Sequence, residues 1–324
     1  MALLAVKNLE VIFALRQGDL TALRDVSFSL EKGERLGIVG ESGAGKSVAA
    51  FAILNLISHP GYISKGKILF EGNDLVKLSN DKLREIRGNR INMIFQDPMM
   101  TLNPVLTIGT QMIECLQTHK GLTRNEAQAV AVENLRRVQI PSPEARIDQY
   151  PHELSGGMRQ RVVIAIALLT DPSIIIADEP TTALDVTIQA EIMELLLDLC
   201  EKSHVGLILI THDLGIVSQV TQRTVVMYAG RVVEEGVTRD IINSPRHPYT
   251  QGLINALPER AIPGEKLNQI PGAMPSLMTI PSGCPFHPRC ERMLDICQSV
   301  LPDYTGSEHS RVACHWVASQ ESAK

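Results

Sequence analysis

The stretch "GESGAGKS", residues 40–47, lies between the short apolar run of "ERLGIVG" and the helical pattern of "SVAAFAILNLI". A buried strand that breaks into a glycine-rich turn and continues as a helix admits few folds. It also fits G-x-x-x-x-G-K-[ST], a pattern whose chemistry depends on that context. Glycines let backbone N–H groups turn inward around phosphate oxygens, and the helix N-terminus adds the positive end of its dipole. Gly40, Glu41, Ser42, Gly43, Ala44 and Gly45 would form the cradle. Lys46 would supply a mobile charge for the β- and γ-phosphates, and Ser47 a hydroxyl for Mg²⁺. A chance match in an ordinary turn is the alternative, and the flanking strand and helix weigh heavily against it.

The rest of the chain keeps the same alternation. "DVSFSL" places Val26, Phe28 and Leu30 on one face, as a half-buried strand does. "INMIF" (91–95), "SIIIAD" (173–178), "VGLILIT" (205–211) and "TVVMYA" (224–229) are continuous apolar runs suited to strands covered on both faces. Between them, Thr123 and Glu126 form a capping box, and Ile188, Ile192, Leu195, Leu196 and Leu199 mark a buried helical stripe. An α/β fold with a mostly parallel sheet is expected over residues 1–255, with a helical subdomain at about 99–158 that lacks a convincing strand. From residue 256 to 324 prolines multiply and periodicity is lost, so a Pro- and Cys-rich extension is expected there.

Composition narrows the classes. The formal net charge is −5, with no long run of like charges, which argues against a nucleic-acid surface. No stretch approaches the ~18 apolar residues needed to cross a bilayer. "MALLAVKNLEVIF" has no basic lead-in and is interrupted by Lys7 and Glu10, so it reads as a strand and not a signal peptide. A cytosolic setting follows, in which a disulfide framework for the six cysteines is disfavoured.

Two further segments carry chemistry. In "SIIIADEP" four apolar residues bring Asp178 to the C-terminal end of a buried strand, where it would hold Mg²⁺. Glu179, the next residue, can polarise a water. An acidic pair after an apolar strand is weak evidence alone and gains force from the phosphate loop. In "ELSGGMRQR" (153–161), Ser155, Gly156 and Gly157 open a helix that continues through Val162, Ile166 and Leu169. An ordinary capped helix would look similar. A second phosphate-seeking helix start has an obvious use, however, if each of two chains offers it to the other's nucleotide.

With these motifs the chain resembles an ATP-binding cassette (ABC) ATPase over roughly residues 3–240, a P-loop NTPase fold. "LSGGMRQ" resembles the signature motif of that family. The resemblance places Gln96 of "FQDP" in the Q-loop, touching Mg²⁺ and the γ-phosphate beside a membrane partner. It places Asp185 of "TTALD" in the D-loop that reaches across a dimer, and His212 of "LILITHD" in contact with the γ-phosphate. Where Thr182 stands the family more often has Ser, and nothing is read into the exchange because the hydroxyl is kept. Phe13 is the candidate adenine-stacking ring, with a place in the core of a first strand as the other reading.

"FQDPMMTLNPVLTIG", "ADEPTTALDVTIQAEI" and "SPRHPYTQGLINALP" resemble the peptide branch of ABC importers, nearest to dipeptide-permease ATPases. That implies ATP hydrolysis coupled to uptake of di- or oligopeptides, nickel and glutathione importers of the same branch being the alternatives. The implied partners are a second, similar ATPase subunit forming a heterodimer, two membrane-spanning permease subunits, and a periplasmic or extracellular substrate-binding protein. The implied location is peripheral, on the cytoplasmic face of the inner membrane. A soluble repair or translation ATPase of the same class would carry two cassettes or a long coiled-coil insert, and neither appears.

The tail holds Cys284, Cys290, Cys297 and Cys314, separated by five, six and sixteen residues. Structural thiols, zinc and an iron–sulfur cluster compete as readings. The tight C-x₂₋₄-C knuckles usual for zinc are absent, and four thiolates at wider spacing suit a cluster. "GCPFHPRC" resembles the tails of peptide-importer ATPases, which implies a [4Fe–4S] cluster. His287 and His315 are rival ligands, and Cys115 and Cys200 are not expected to take part.

Overall fold

The structure, a computed structural model, describes residues 2–182, 184–257, 268–307 and 309–322. Ala183 of "TTALD" and residues 258–267 of the expected extension lie outside the described residues. The chain divides into two compact units. The first comprises residues 1–30, 35–76 and 209–324, and the second residues 31–34 and 77–208.

The first unit contains two sheets. In one, β1 (Leu4–Leu15) pairs antiparallel with β2 (Gly18–Leu30) and with β4 (Gly61–Phe70), and β5 (Asn73–Asp74) completes the order β2-β1-β4-β5. Val26, Phe28 and Leu30 are buried, as their alternation predicts. In the other sheet, β3 (Arg35–Val39) runs parallel to β9 (Arg223–Tyr228), with the end of β8 (Gly206–Thr211) on the other side of β3. β10 (Arg231–Val237) returns antiparallel to β9, followed by β12 (Ser310–Ala313) and β11 (Tyr304–Ser307) from the tail. The helix after β3 is shorter than its sequence pattern, Lys46–Ile53, because Leu54 caps it and Asn55 turns to φ 50°.

Parallel pairing runs through the core pairs β3–β9 and, in the second unit, β6–β7, as expected, and antiparallel strands are added to it and form the other sheet. For β10 the reason is local. Ala229 and Gly230 both have positive φ, 47° and 77°, the two-residue geometry that closes a tight hairpin and so forces β10 antiparallel. β10 itself escaped the sequence reading because Glu234 and Glu235 interrupt its apolar residues, yet both are only 2% exposed. Glu234 accepts the backbone N–H groups of Arg246 (2.7 Å) and His247 (3.0 Å). Glu235 is paired with Arg223 of β9 and with Arg311 of β12, whose Nε lies 2.9 Å away. This charged triad fastens the tail hairpin to the sheet. The tail also holds 3₁₀ turns at His287–Arg289 and Asp295–Gln298 and a helix at His315–Ser322.

The second unit sets β6 (Ile91–Ile94) parallel to β7 (Ile174–Asp178). No strand intervenes among its described residues. The intervening helices include Ile108–Lys120, Arg124–Arg137 with the Thr123–Glu126 capping box, and Gly156–Leu168. The helix Val186–Lys202 buries Ile192, Leu195, Leu196 and Leu199, as its stripe predicts. Among the described residues no helix is long and apolar enough to cross a membrane.

Removing one member of a buried ion triad leaves the others desolvated and uncompensated. Glu235→Ala should therefore lower unfolding free energy by about 3 kcal/mol, read from urea denaturation. It should also expose the 304–313 hairpin to limited proteolysis before the rest of the chain.

Candidate active site

The turn after β3 takes its shape from contacts that only glycine permits. Gly40 has φ 153°, and a Cβ there would stand 2.2 Å from the Met227 carbonyl oxygen of β9. Gly45, with φ 99°, would meet Leu23 Cδ2 at 2.9 Å and Ala22 O at 3.1 Å. The loop closes through Ala44 N–H donating to Glu41 O at 3.1 Å, and Gly230 N–H donates to Ala44 O at 2.9 Å. Ser42 and Gly43 are exposed, and Ser47 is half-buried at the first turn of the helix. Lys46 is buried, and its ammonium donates to the carbonyls of Gly40 (2.8 Å) and Glu41 (3.1 Å). A helix N-terminus, a glycine turn and a lysine folded over it form an anion cradle.

Glu41 is held at each of its polar groups. Its N–H donates to Tyr249 Oη at 2.8 Å, and its carbonyl accepts from Lys46. Its carboxylate accepts two bonds from Arg289, at 2.7 and 3.0 Å. Tyr249 stands on the helix Pro248–Asn255, which His247 caps by accepting the Tyr249 N–H at 3.0 Å. Full burial pushes His247 down to about 3, so it stays neutral and able to accept. Sequence reading missed Tyr249 and Arg289. Both sit in stretches noted for other reasons, and only the fold brings them to the loop.

His212 is exposed and follows β8, the strand beside β3. The turn after it is fixed by Asp213, whose N–H donates to Thr211 Oγ1 at 3.0 Å and whose carboxylate caps the helix Leu214–Val220. Phe13 is half-buried, its ring pressed on Gly61, the residue opposite it in β4.

In the second unit the parallel pair β6–β7 delivers its C-terminal residues together. Asp178 ends β7 and is 5% exposed. Glu179 follows with φ 46°, a left-handed conformation uncommon for a residue with a Cβ and frequent at working sites. Its Oε2 accepts from Gln96 Nε2 at 3.1 Å and from the Thr182 hydroxyl at 3.0 Å. Thr182, from which the sequence reading drew nothing, thus shares the orientation of this carboxylate with Gln96. Asp185 caps the next helix by accepting the Ile188 N–H at 3.0 Å. Ser155 caps the helix Gly156–Leu168 by accepting the Met158 N–H at 3.3 Å. A Cβ on Gly157 would come within 2.9 Å of Ile188, so this helix start and the Asp185 turn pack closely.

The four tail cysteines all belong to the first unit and carry free thiols. The Cys284 N–H donates to the Cys297 carbonyl at 2.8 Å. Burial pushes the Cys284 thiol up to about 12, and the nearby Cys297, Cys314 and Cys290 add to the rise. Burial raises Cys290 and Cys314 too. The Cys284, Cys290 and Cys314 thiols stay protonated unless a bound cation displaces the proton. The donor chemistry suits a soft metal. Yet among the described residues no three His, Cys, Asp or Glu side chains converge as one ion's ligands would. The rival histidines face backbone carbonyls, His287 Nδ1 at 3.0 Å from Cys284 O and His315 Nε2 at 2.9 Å from Val300 O. Cys115 and Cys200 lie on helices of the second unit.

Comparison with known proteins agrees with this arrangement. Residues 23–182 match the ABC transporter family, and residues 233–297 match the oligopeptide/dipeptide transporter C-terminal region. The chain is 49% identical over 315 residues to the dipeptide transport ATP-binding protein DppD of Haemophilus influenzae, covering 97% of this chain and 96% of that protein. Identity is also 49% with the oligopeptide transport ATP-binding protein OppD of Escherichia coli, covering 93% and 89%. A dimeric post-hydrolysis structure of the ATP-binding cassette MJ0796 bound to ADP and Pi superposes with a TM-score of 0.65. It is 30% identical and covers 73% of this chain and 99% of that one. The chain belongs to the ABC transporter family, among its peptide-transport ATP-binding proteins.

Proposed function

We propose that this protein is the ATP-hydrolysing subunit of an ABC importer of di- or oligopeptides. The observation that carries the reading is likeness to peptide-transport ATP-binding proteins along nearly the whole chain, tail included. Two membrane-spanning permease subunits, a second homologous ATPase and an external substrate-binding protein would complete the transporter. The chain would sit peripherally on the cytoplasmic face of the cell membrane. Nickel or glutathione uptake uses the same ATPase chemistry and is the alternative.

In this reading the loop Gly40–Ser47 takes the phosphates, with Lys46 moving from its two carbonyls to the β- and γ-oxygens. Ser47, Gln96 and Asp178 would hold Mg²⁺, which neutralises charge between those phosphates. Glu179, oriented by Gln96 and Thr182, would accept the proton of the attacking water, and His212 would steady the γ-phosphate. Ser155, Gly156 and Gly157 would face the partner subunit's nucleotide, and Asp185 would reach across the dimer. ATP would thus close the dimer and hydrolysis reopen it. The work is positioning and charge neutralisation, as phosphoryl transfer requires. Phe13, half-exposed beside Gly61, would offer its ring to the adenine. Cys284, Cys290, Cys297 and Cys314 would hold a [4Fe–4S] cluster, a reading that rests on the four-thiol donor set.

The base is tested by Glu179→Gln in the assembled transporter with the partner ATPase's own site disabled. ATP should still bind while turnover falls ~10²-fold or more, and near-normal hydrolysis would contradict the assignment. The cluster is tested by anaerobic purification. The protein should be brown, absorb broadly near ~400 nm and contain iron and sulfide in equal amounts, and Cys297→Ser should bleach it. Colourless protein with one zinc per chain would contradict it.

A further inference from the structure

The phosphate loop contains a carboxylate, Glu41, where the expected ligand is strongly anionic. In the structure that charge is taken up by Arg289, a residue of the cysteine-bearing tail. The guanidinium makes two parallel bonds to the carboxylate, at 2.7 and 3.0 Å, the geometry in which arginine pairs most strongly with a carboxylate. The arginine side chain is 5% exposed. Its Nε donates to Pro271 O at 2.8 Å, and one of its terminal nitrogens lies 3.4 Å from Tyr228 Oη. It projects from the turn His287–Arg289, between Cys284 and Cys290. Phe286, on the same segment, packs edge-on against Tyr228 (5.2 Å between centroids) and at a tilt against Tyr249 (5.4 Å), the tyrosine that takes the Glu41 N–H. One short segment of the tail therefore meets both the side chain and the backbone support of one loop residue.

We propose that Arg289 is a positioning residue of the nucleotide loop: it neutralises and orients Glu41, so that ATP affinity depends on the tail segment between Cys284 and Cys290. This rests on the reading of Gly40–Ser47 as the ATP site. Whatever fastens those cysteines also fixes the guanidinium, and so acts on nucleotide binding without touching nucleotide.

A purely structural staple would also be weakened by loss of Arg289, since the arginine bonds the Pro271 carbonyl. The two roles separate through Glu41. If Arg289 acts by neutralising that carboxylate, its removal harms ATP binding only while the carboxylate is there. The full-length chain is titrated with MgATP as wild type, Lys46→Ala, Arg289→Ala, Glu41→Gln and the Arg289→Ala, Glu41→Gln double variant. Wild type should bind, and Lys46→Ala should lose most of its affinity. Failure of either overturns the site reading and this inference with it. With the site reading intact, Arg289→Ala should weaken ATP binding by about 5-fold or more. In the Glu41→Gln background the same substitution should cost less than about twofold. An equal loss in both backgrounds, or no loss in either, overturns the proposal. Should Arg289→Ala fail to fold, the same two-background comparison is read with Arg289→Lys, which keeps the charge but not the parallel bonds. A smaller loss, again abolished by Glu41→Gln, is expected, and equal or absent losses overturn the proposal.

Discussion

Gly40 lies against the Met227 carbonyl, with no room between them for a side chain. Because β3 and β9 are parallel neighbours, the backbone of one strand shapes the loop that leaves the other. The remaining contacts follow from that turn. Gly45 tucks against Ala22 and Leu23, Gly230 holds the Ala44 carbonyl, and Lys46 closes over the carbonyls of Gly40 and Glu41. The cradle is a property of the packed first unit and not of eight residues alone.

Acidic side chains do much of the joining in this unit. Glu41 and Glu235 are met by arginines from the tail, and Glu234 by the backbone N–H groups of Arg246 and His247. The tail also packs Ile270, Met274, Leu277, Ile280 and Phe286 against the core of this unit, so apolar burial and charge pairing share its attachment. Burying such pairs carries a desolvation cost of its own, yet breaking one costs more, because a lost partner leaves a desolvated charge behind. The aromatic trio Tyr228, Tyr249 and Phe286 lies within that apolar contact.

What could be read from the sequence was what depends on neighbours along the chain. The strand–turn–helix at Gly40, the apolar runs of β6–β9, the Thr123–Glu126 capping box and most of the stripe of the 186–202 helix are local patterns that the structure keeps. The helix after Gly40 nonetheless ends early, and Ile188 is only half-buried. β10 was hidden because Glu234 and Glu235 look like surface residues until Arg223 and Arg311 arrive from elsewhere. The Ala229–Gly230 turn carries only one glycine, a weak hairpin signal, so the antiparallel return of β10 is not legible locally. Arg289 and Tyr249 could not be found at all from local pattern, since Arg289 stands 248 residues from Glu41 and Tyr249 stands 208. Thr182 carries no signal of its own in the sequence, although its hydroxyl holds the Glu179 carboxylate.

If the glycine at position 40 is what permits the phosphate cradle, a single methyl group should destroy it. The direct measurement is titration of MgATP into the full-length Gly40→Ala variant, with circular dichroism to verify that the sheets remain. The account predicts folded protein whose affinity for ATP has fallen at least about tenfold, equivalent to about 1.4 kcal/mol. Folded Gly40→Ala protein that binds ATP as the wild type does would contradict it.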